Sequence, residues 1–167
     1  MSTILVTYYS RSGNTETVAK AIHGALAGAE ILPFSQVNGL DGYDFVFVGF
    51  PVEMHSLPYP VELFLRRIPA GKAVALFSTH GSLQGHRLSR EALEYAVLIA
   101  GQAKIAGTFH CRGRLSEGAR TALAKSPEHR EWADMAVSAA GHPDAADLEE
   151  ARTFARRMEM LAAHGGY

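Results

Sequence analysis

The chain has 167 residues, of which 47% are hydrophobic and 20% are charged, and its formal net charge is −1. This composition is typical of a globular domain and excludes a disordered chain. The nearly neutral charge argues against a general nucleic-acid-binding protein, because such proteins usually carry a basic excess. The one cysteine, Cys111, excludes an internal disulfide framework and any iron–sulfur or zinc site built only from cysteines of this chain.

The apolar segments of the chain are short. None approaches the roughly 20 residues that a membrane-spanning helix needs, and the N-terminus lacks the pattern of a signal peptide. The eight histidines are scattered without a recognised metal-ligand spacing, so we expect no metal site. We therefore expect a cytoplasmic protein with one domain over residues 1–167, no membrane partner and no nucleic-acid partner.

Strand-like and helix-like segments alternate in chain order. β-rich runs predict strands over 3–9, 29–34, 45–49, 72–78 and 104–111. The runs at 45–49 and 72–78 are apolar on both faces, as in buried parallel strands. Helical spacing of apolar residues predicts helices over 14–26, 59–67, 88–100, 116–125 and 144–163, with Ser89 as the N-cap of the third. Residues 127–144 have no definite assignment, although 128–140 has some helical character.

This alternation predicts an α/β fold, with a doubly wound five-stranded parallel sheet flanked by helices. Ligands of such sheets bind beyond the carboxyl ends of the strands, at the point where the strand order reverses. The segments that follow the first, third and fourth strands therefore form the candidate binding site.

The loop after the first strand is rich in hydrogen-bond donors and consists of Ser10, Arg11, Ser12, Gly13, Asn14 and Thr15. It precedes a predicted helix, whose first backbone N–H groups form a ready anion site, and Gly13 permits a positive φ. The pattern therefore predicts a phosphate site. The alternative is a capped turn between strand and helix, in which Ser, Asn and Thr are common.

The nine residues from Tyr8 to Glu16 resemble the FMN-phosphate loop of the flavodoxin family, in which a Ser/Thr-x-Ser/Thr-Gly-Asn-Thr pattern surrounds the monophosphate. The segment is neither a P-loop nor a dinucleotide-binding glycine motif. The resemblance extends to the order of elements along nearly the whole chain. It implies a flavodoxin-like fold with strand order 2-1-3-4-5, FMN as the cofactor, and electron transfer as the function.

The resemblance also assigns roles to the other two loops. The loop after the third strand would pack against one face of the isoalloxazine ring, and its candidate residues are Phe50, Pro51, Val52, Met54 and His55. The alternative is that Phe50 and Met54 are core residues that cap the sheet. In flavodoxins a Trp or Tyr stacks on the ring in these loops, and here that residue is missing from both.

The loop after the fourth strand would run along the pyrimidine edge of the flavin, and its candidate residues are Ser78, Thr79, His80 and Gly81. The alternative is a turn that leads into the next helix. Gly49 and Gly81 are expected to leave room for a mobile peptide that approaches the ring.

Three later strings, which begin at Phe45, Val74 and Phe109, are similar to flavodoxin-like proteins of anaerobic bacteria, including a small one linked to bilirubin reduction. No substrate is inferred from that similarity. Cys111 is either redox-active or a buried structural thiol, and the second interpretation is favoured. Arg112 and Arg114 mark either a partner surface or a solvated edge.

The favoured function is that of an FMN electron carrier without a catalytic side chain, a monomer or homodimer that exchanges electrons with a partner redox protein. The alternative is an FMN-dependent NAD(P)H:quinone-type oxidoreductase, which gains weight from the nearly neutral charge because carriers are commonly acidic. A receiver-type signalling domain is disfavoured, since Tyr8-Tyr9-Ser10 and Gly49-Phe50 stand where its acidic residues would be. A structural protein without a cofactor is the remaining alternative.

Overall fold

The protein is described by a computed structural model that covers residues 2–53 and 56–166. The strands of the described residues are β1 (Ile4–Tyr8), β2 (Glu30–Pro33), β3 (Phe45–Pro51), β4 (Ala73–His80) and β5 (Lys104–Arg112). The α-helices of the same residues are α1 (Asn14–Gly24), α2 (Tyr59–Arg66), α3 (Arg87–Ala100), α4 (Glu117–Ala124), α5 (Arg130–Ser138) and α6 (Ala145–His164). Short 3₁₀ turns lie at Phe34–Gln36 and Pro127–His129.

The strands form one parallel sheet in the order β2-β1-β3-β4-β5. This order confirms the predicted doubly wound sheet. The chain first moves outward from β1 to β2 and then returns to the other side of β1, so the order reverses at the carboxyl ends of β1 and β3. That reversal creates the crevice in which open α/β sheets bind ligands.

Two apolar cores lie on opposite faces of the sheet, and β3 contributes to both. Phe45 and Phe47 belong to the core that packs under α1 and α6, which we call the first core. Val46, Val48 and Phe50 belong to the core under α2 and α3, the second core. Successive side chains of a strand point to opposite faces, and this is why the strand is apolar without alternation.

The two central strands are longer at their carboxyl ends than predicted. β3 continues to Pro51, which pairs with Thr79 of β4, and β4 continues to His80, which pairs with Arg112 of β5. Phe50, Pro51, Thr79 and His80 are therefore strand residues, and the prediction that these four residues lie in loops is wrong.

The helices on the second half of the chain refine the prediction in two places. Ser89 does not cap α3: the His86 ring accepts a hydrogen bond from the Leu88 N–H, and the Ser89 hydroxyl donates to the His86 carbonyl. The unassigned segment contains α5, and α6 then begins at a capping box formed by Asp144 and Asp147. Within residues 2–53 and 56–166, every helix is too short or too polar to cross a membrane.

Candidate functional site

The loop after β1 brings the N-terminus of α1 to the carboxyl edge of the sheet. Gly13 is the N-cap residue and has a φ of 95°, a conformation that side chains rarely tolerate. No side chain of the described residues caps α1. The Gly13 N–H instead donates to the Ser10 hydroxyl, at 3.2 Å. The alternative of a turn capped by a side chain is therefore wrong, since the first turn of α1 has no side-chain cap among the described residues.

The polar side chains of this loop have different surroundings. Ser12 is exposed and Ser10 is half-buried, so their hydroxyls lie at the surface of the loop. Thr15 is buried, and its Oγ1 lies 2.8 Å from Oγ1 of Thr79. Asn14 Nδ2 donates to the Arg114 carbonyl at 2.7 Å. Thr15 and Asn14 therefore join the loop to neighbouring segments, which differs from the prediction that all these side chains serve a phosphate.

Arg11 pairs with a residue of the loop after β3. Its guanidinium lies 3.3 Å from a Glu53 carboxylate oxygen and donates to the Tyr9 hydroxyl at 3.3 Å. The backbones of Glu53 and Ser56 are joined by two hydrogen bonds. Met54 and His55, the residues between them, lie outside the described residues. The Arg11 pair therefore connects the first loop with the second.

The Phe50 ring does not lie at the carboxyl edge of the sheet. The side chain is fully buried in the second core, so the alternative that Phe50 is a core residue is the correct one. Pro51 and Val52 are half-buried, and the Val52 N–H donates to the Thr79 carbonyl at 2.8 Å. These two residues continue the sheet edge beside the first loop.

The residues predicted after β4 are buried rather than exposed. Ser78, Thr79 and His80 have exposed fractions of 0%, 2% and 3%. A Cβ at Gly81 would lie 2.0 Å from Cδ1 of Leu115, and a Cβ at Gly49 would lie 2.1 Å from Cζ of Phe77. Each glycine therefore makes room for a side chain of this protein, which is not the role that the sequence predicted.

His80 is the centre of a hydrogen-bond network under the segment that leads to α3. Its Nε2 lies 3.0 Å from Nδ1 of His110, and its Nδ1 lies 3.2 Å from the Ser82 carbonyl oxygen. Burial lowers the pKa of His80 to about 4, and the neighbouring His110 adds to the effect. Both ring nitrogens of the neutral histidine are engaged, so His80 holds this segment in place.

Sequence reasoning missed His110, because only the pairing of β4 with β5 brings the two rings together. Arg112 was also expected to lie at the surface. The Arg112 guanidinium donates instead to the carbonyls of Ser82 and Met135, both at 2.9 Å, and to the Ser138 hydroxyl at 2.7 Å. Arg112 is half-buried, and its guanidinium is used within the protein. Its residue type gave no signal, since the acceptors lie in segments distant along the chain.

Cys111 is buried, as the favoured interpretation expected. Burial raises the pKa of its thiol, with smaller contributions from Asp147, Glu150 and Asp144. A thiol in this state is a poor nucleophile and a poor metal ligand.

The geometry of this edge fits a phosphate monoester at the N-terminus of α1. The open first turn provides backbone N–H donors, the left-handed Gly13 lets the chain curve around an anion, and no side chain fills the space beside Gly13. Two hydroxyls, those of Ser10 and Ser12, lie in the same loop.

Comparisons with solved structures show the same fold. The chain is similar to a WrbA-like flavodoxin from Agrobacterium tumefaciens, at 21% identity over 98% of this chain and 99% of that one, with a TM-score of 0.63. It is similar to oxidised flavodoxin 2 from Bacillus cereus, at 20% identity over 95% and 98% of the two chains, with a TM-score of 0.60. It is also similar to a flavoprotein from Lactobacillus acidophilus, solved in complex with FMN, at 17% identity over 66% and 93%, with a TM-score of 0.56.

The sequence matches none of the curated proteins with which it was compared. The finer similarity to the bilirubin-linked protein and to proteins of anaerobes has no support in these comparisons. The family model of the flavodoxin domain, however, matches residues 5–156, which include β1 except Ile4, the other four strands and most of α6. The chain therefore belongs to the flavodoxin domain family.

Proposed function

We propose that this protein binds one FMN at the carboxyl edge of its sheet and carries electrons to or from a partner redox protein in the cytoplasm. The observation that carries the proposal is the uncapped N-terminus of α1, preceded by a left-handed Gly13, in a chain of the flavodoxin domain family. The FMN found in the related Lactobacillus acidophilus flavoprotein supports the choice of cofactor.

The phosphate end of the cofactor is the best-defined part of the proposed site. A phosphate monoester carries a charge of about −1.5 to −2 near pH 7 and needs several donors. The helix dipole contributes about 0.3–1 kcal/mol where it is exposed, whereas each hydrogen bond to a charged group contributes about 1.5–3 kcal/mol. The N–H groups of α1 and the hydroxyls of Ser10 and Ser12 therefore determine most of the affinity at this end.

The other end of the cofactor would lie along the edge formed by Val52 and the segment from Gly81 to His86. When bound, the flavin supplies the one- and two-electron chemistry, and the protein supplies binding, orientation and electrostatics. His80 and Arg112 fix this segment through the Ser82 carbonyl. Since His80 has both ring nitrogens engaged and Cys111 is buried with a raised pKa, neither side chain is available as a catalytic base or nucleophile.

An FMN-dependent NAD(P)H:quinone-type oxidoreductase is the second candidate function. The observation that favours it is the net charge of −1, because electron carriers are commonly acidic to attract basic partners. Steady-state assays with NADH or NADPH and a quinone distinguish the two functions. Rapid turnover by the purified protein alone indicates the enzyme, and its absence, together with reversible reduction of the bound flavin, indicates the carrier.

Titration of the apoprotein with FMN, followed by visible absorption and flavin fluorescence, tests the proposed cofactor. The Ser10→Ala/Ser12→Ala double variant is expected to bind FMN at least tenfold more weakly, because it removes two donors to a charged group. The matched control is Ser126→Ala, which removes a hydroxyl that caps no helix. A wild-type protein that stays colourless with added FMN, or a double variant with unchanged affinity, would contradict the proposal.

A further inference from the structure

The β5–α4 connection lies directly against the first turn of α1. Asn14 Nδ2 donates to the Arg114 carbonyl at 2.7 Å, and the Arg114 N–H donates to the His142 carbonyl at 2.8 Å. The preceding Gly113 is buried, and a Cβ there would lie 2.7 Å from Asn14 Nδ2. The backbone of Arg114 is therefore fixed on both sides, next to the residue that begins α1.

The Arg114 side chain is exposed, and among residues 2–53 and 56–166 its guanidinium has no hydrogen bond or ion pair. Other cations of this region have acceptors within the protein. Arg11 pairs with Glu53, Lys20 pairs with Glu16, and Arg112 donates to carbonyls of other segments. Arg114 thus combines a fixed backbone beside α1 with an unused positive charge.

We propose that Arg114 binds the phosphate group of the cofactor, as the cation that complements the open N-terminus of α1. This inference rests on the proposed function and adds a residue to it that the phosphate loop does not contain. Backbone N–H groups and hydroxyls carry only partial charges, whereas the phosphate monoester carries nearly two negative charges. A guanidinium matches phosphate oxygens with two parallel N–H donors, which strengthens and orients the contact.

The proposal makes the protein selective for the phosphorylated form of the flavin. Riboflavin offers Arg114 no anion, so the guanidinium contributes only to binding of FMN. The contact is also electrostatic and near solvent, and it therefore weakens as the salt concentration rises.

The test compares Arg114→Gln with Arg157→Gln as a matched control. Arg157 is likewise exposed and without an ion pair among the described residues, but it lies on α6 about 18 Å from the start of that helix, at 1.5 Å per residue. We expect Arg114→Gln to weaken FMN binding about tenfold and to reduce its salt dependence, while riboflavin binding stays unchanged. Arg157→Gln is expected to change neither, and Arg114→Lys to retain part of the affinity.

Equal affinity of Arg114→Gln and Arg157→Gln for FMN would overturn the proposal and leave the proposed function intact. A loss of riboflavin affinity as large as the loss of FMN affinity would overturn it too, because it would indicate a structural role. A second measurement uses inorganic phosphate and the backbone amide signals of Gly13, Asn14 and Thr15 in NMR spectra. If the wild type binds no FMN, the proposed function fails, and phosphate-induced shifts that are the same in the wild type and Arg114→Gln then overturn the inference separately.

Discussion

Gly49 lies in the middle of the sheet, and its substitution by alanine tests how tightly the first core is packed. The glycine pairs with Tyr8 on one side and with Phe77 on the other. The fully buried Phe77 ring covers it, so that an added Cβ would lie 2.1 Å from Cζ and 2.2 Å from Cε2 of that ring. An ordinary contact begins near 3.4 Å, and the ring would therefore have to move by more than an ångström.

The cost of that movement follows from the surroundings of the ring. Phe77 belongs to the first core, and overpacking of such a core costs about 1–3 kcal/mol. In a protein of this size, 1 kcal/mol corresponds to roughly 2–4 °C in Tm. Thermal unfolding followed by circular dichroism is therefore expected to show that Gly49→Ala lowers Tm by roughly 2–12 °C.

Two further variants test whether the Phe77 ring causes this loss of stability. Phe77→Leu shortens the side chain that meets the new methyl group, so the Gly49→Ala/Phe77→Leu double variant should be more stable than the sum of the single effects by about 1 kcal/mol or more. Gly118→Ala, where nothing lies within 4 Å of the added Cβ, should stabilise the protein by up to about 1 kcal/mol. A Gly49→Ala protein as stable as the wild type, or additive effects in the double variant, would show that the ring does not occupy this position.

Two more predictions concern buried titratable groups. Burial, together with the nearby His110, Arg112 and His86, lowers the pKa of His80 from 6.5 to about 4. The stability that the neutral His80 contributes is therefore complete above about pH 6.5 and is lost as the pH falls toward 4. The free energy of unfolding should drop over this range by on the order of 3 kcal/mol, and the likewise lowered pKa of His110 adds to this drop. In denaturant titrations, His80→Gln should show a clearly smaller drop than the wild type. Parallel pH profiles of the two proteins would contradict this expectation. Cys111 is buried, and burial raises the pKa of its thiol. In native buffer a thiol-specific chromogenic disulfide should therefore react with Cys111 only at the rate of global or local unfolding, whereas in denaturant the reaction should be rapid. Fast reaction in native buffer would count against a buried thiol.

The pattern of apolar residues sufficed for the alternation of strands and helices, and the resemblance to flavodoxins supplied the strand order that the structure confirms. The apolar runs at Phe45 and Ala73 identified the central strands, since no other element of a parallel sheet is apolar on both faces over so few residues. The loop motif around Gly13 predicted the position of the N-terminus of α1. These features are local, and each depends on residues that are neighbours along the chain.

The features that the sequence did not reveal depend on distant segments. Phe50 and Thr79 become strand residues only because the pairing of β3 with β4 continues beyond their apolar runs. Leu115, which follows β5, fills the space at Gly81 because β5 pairs with β4, and Arg112 reaches Met135, a residue of the segment without a definite assignment. Such contacts depend on strand register and on the path of a long connection, and neither is encoded in a short motif.

The hydrogen bond between Thr15 and Thr79 joins two segments that lie on either side of β3. The bond is buried, and each hydroxyl is the other's partner, so breaking it would leave two polar groups without solvent. The distance between the start of α1 and the end of β4 is consequently held constant. Any molecule that contacts both the start of α1 and the end of β4 would therefore meet them at the separation that this buried bond helps to hold.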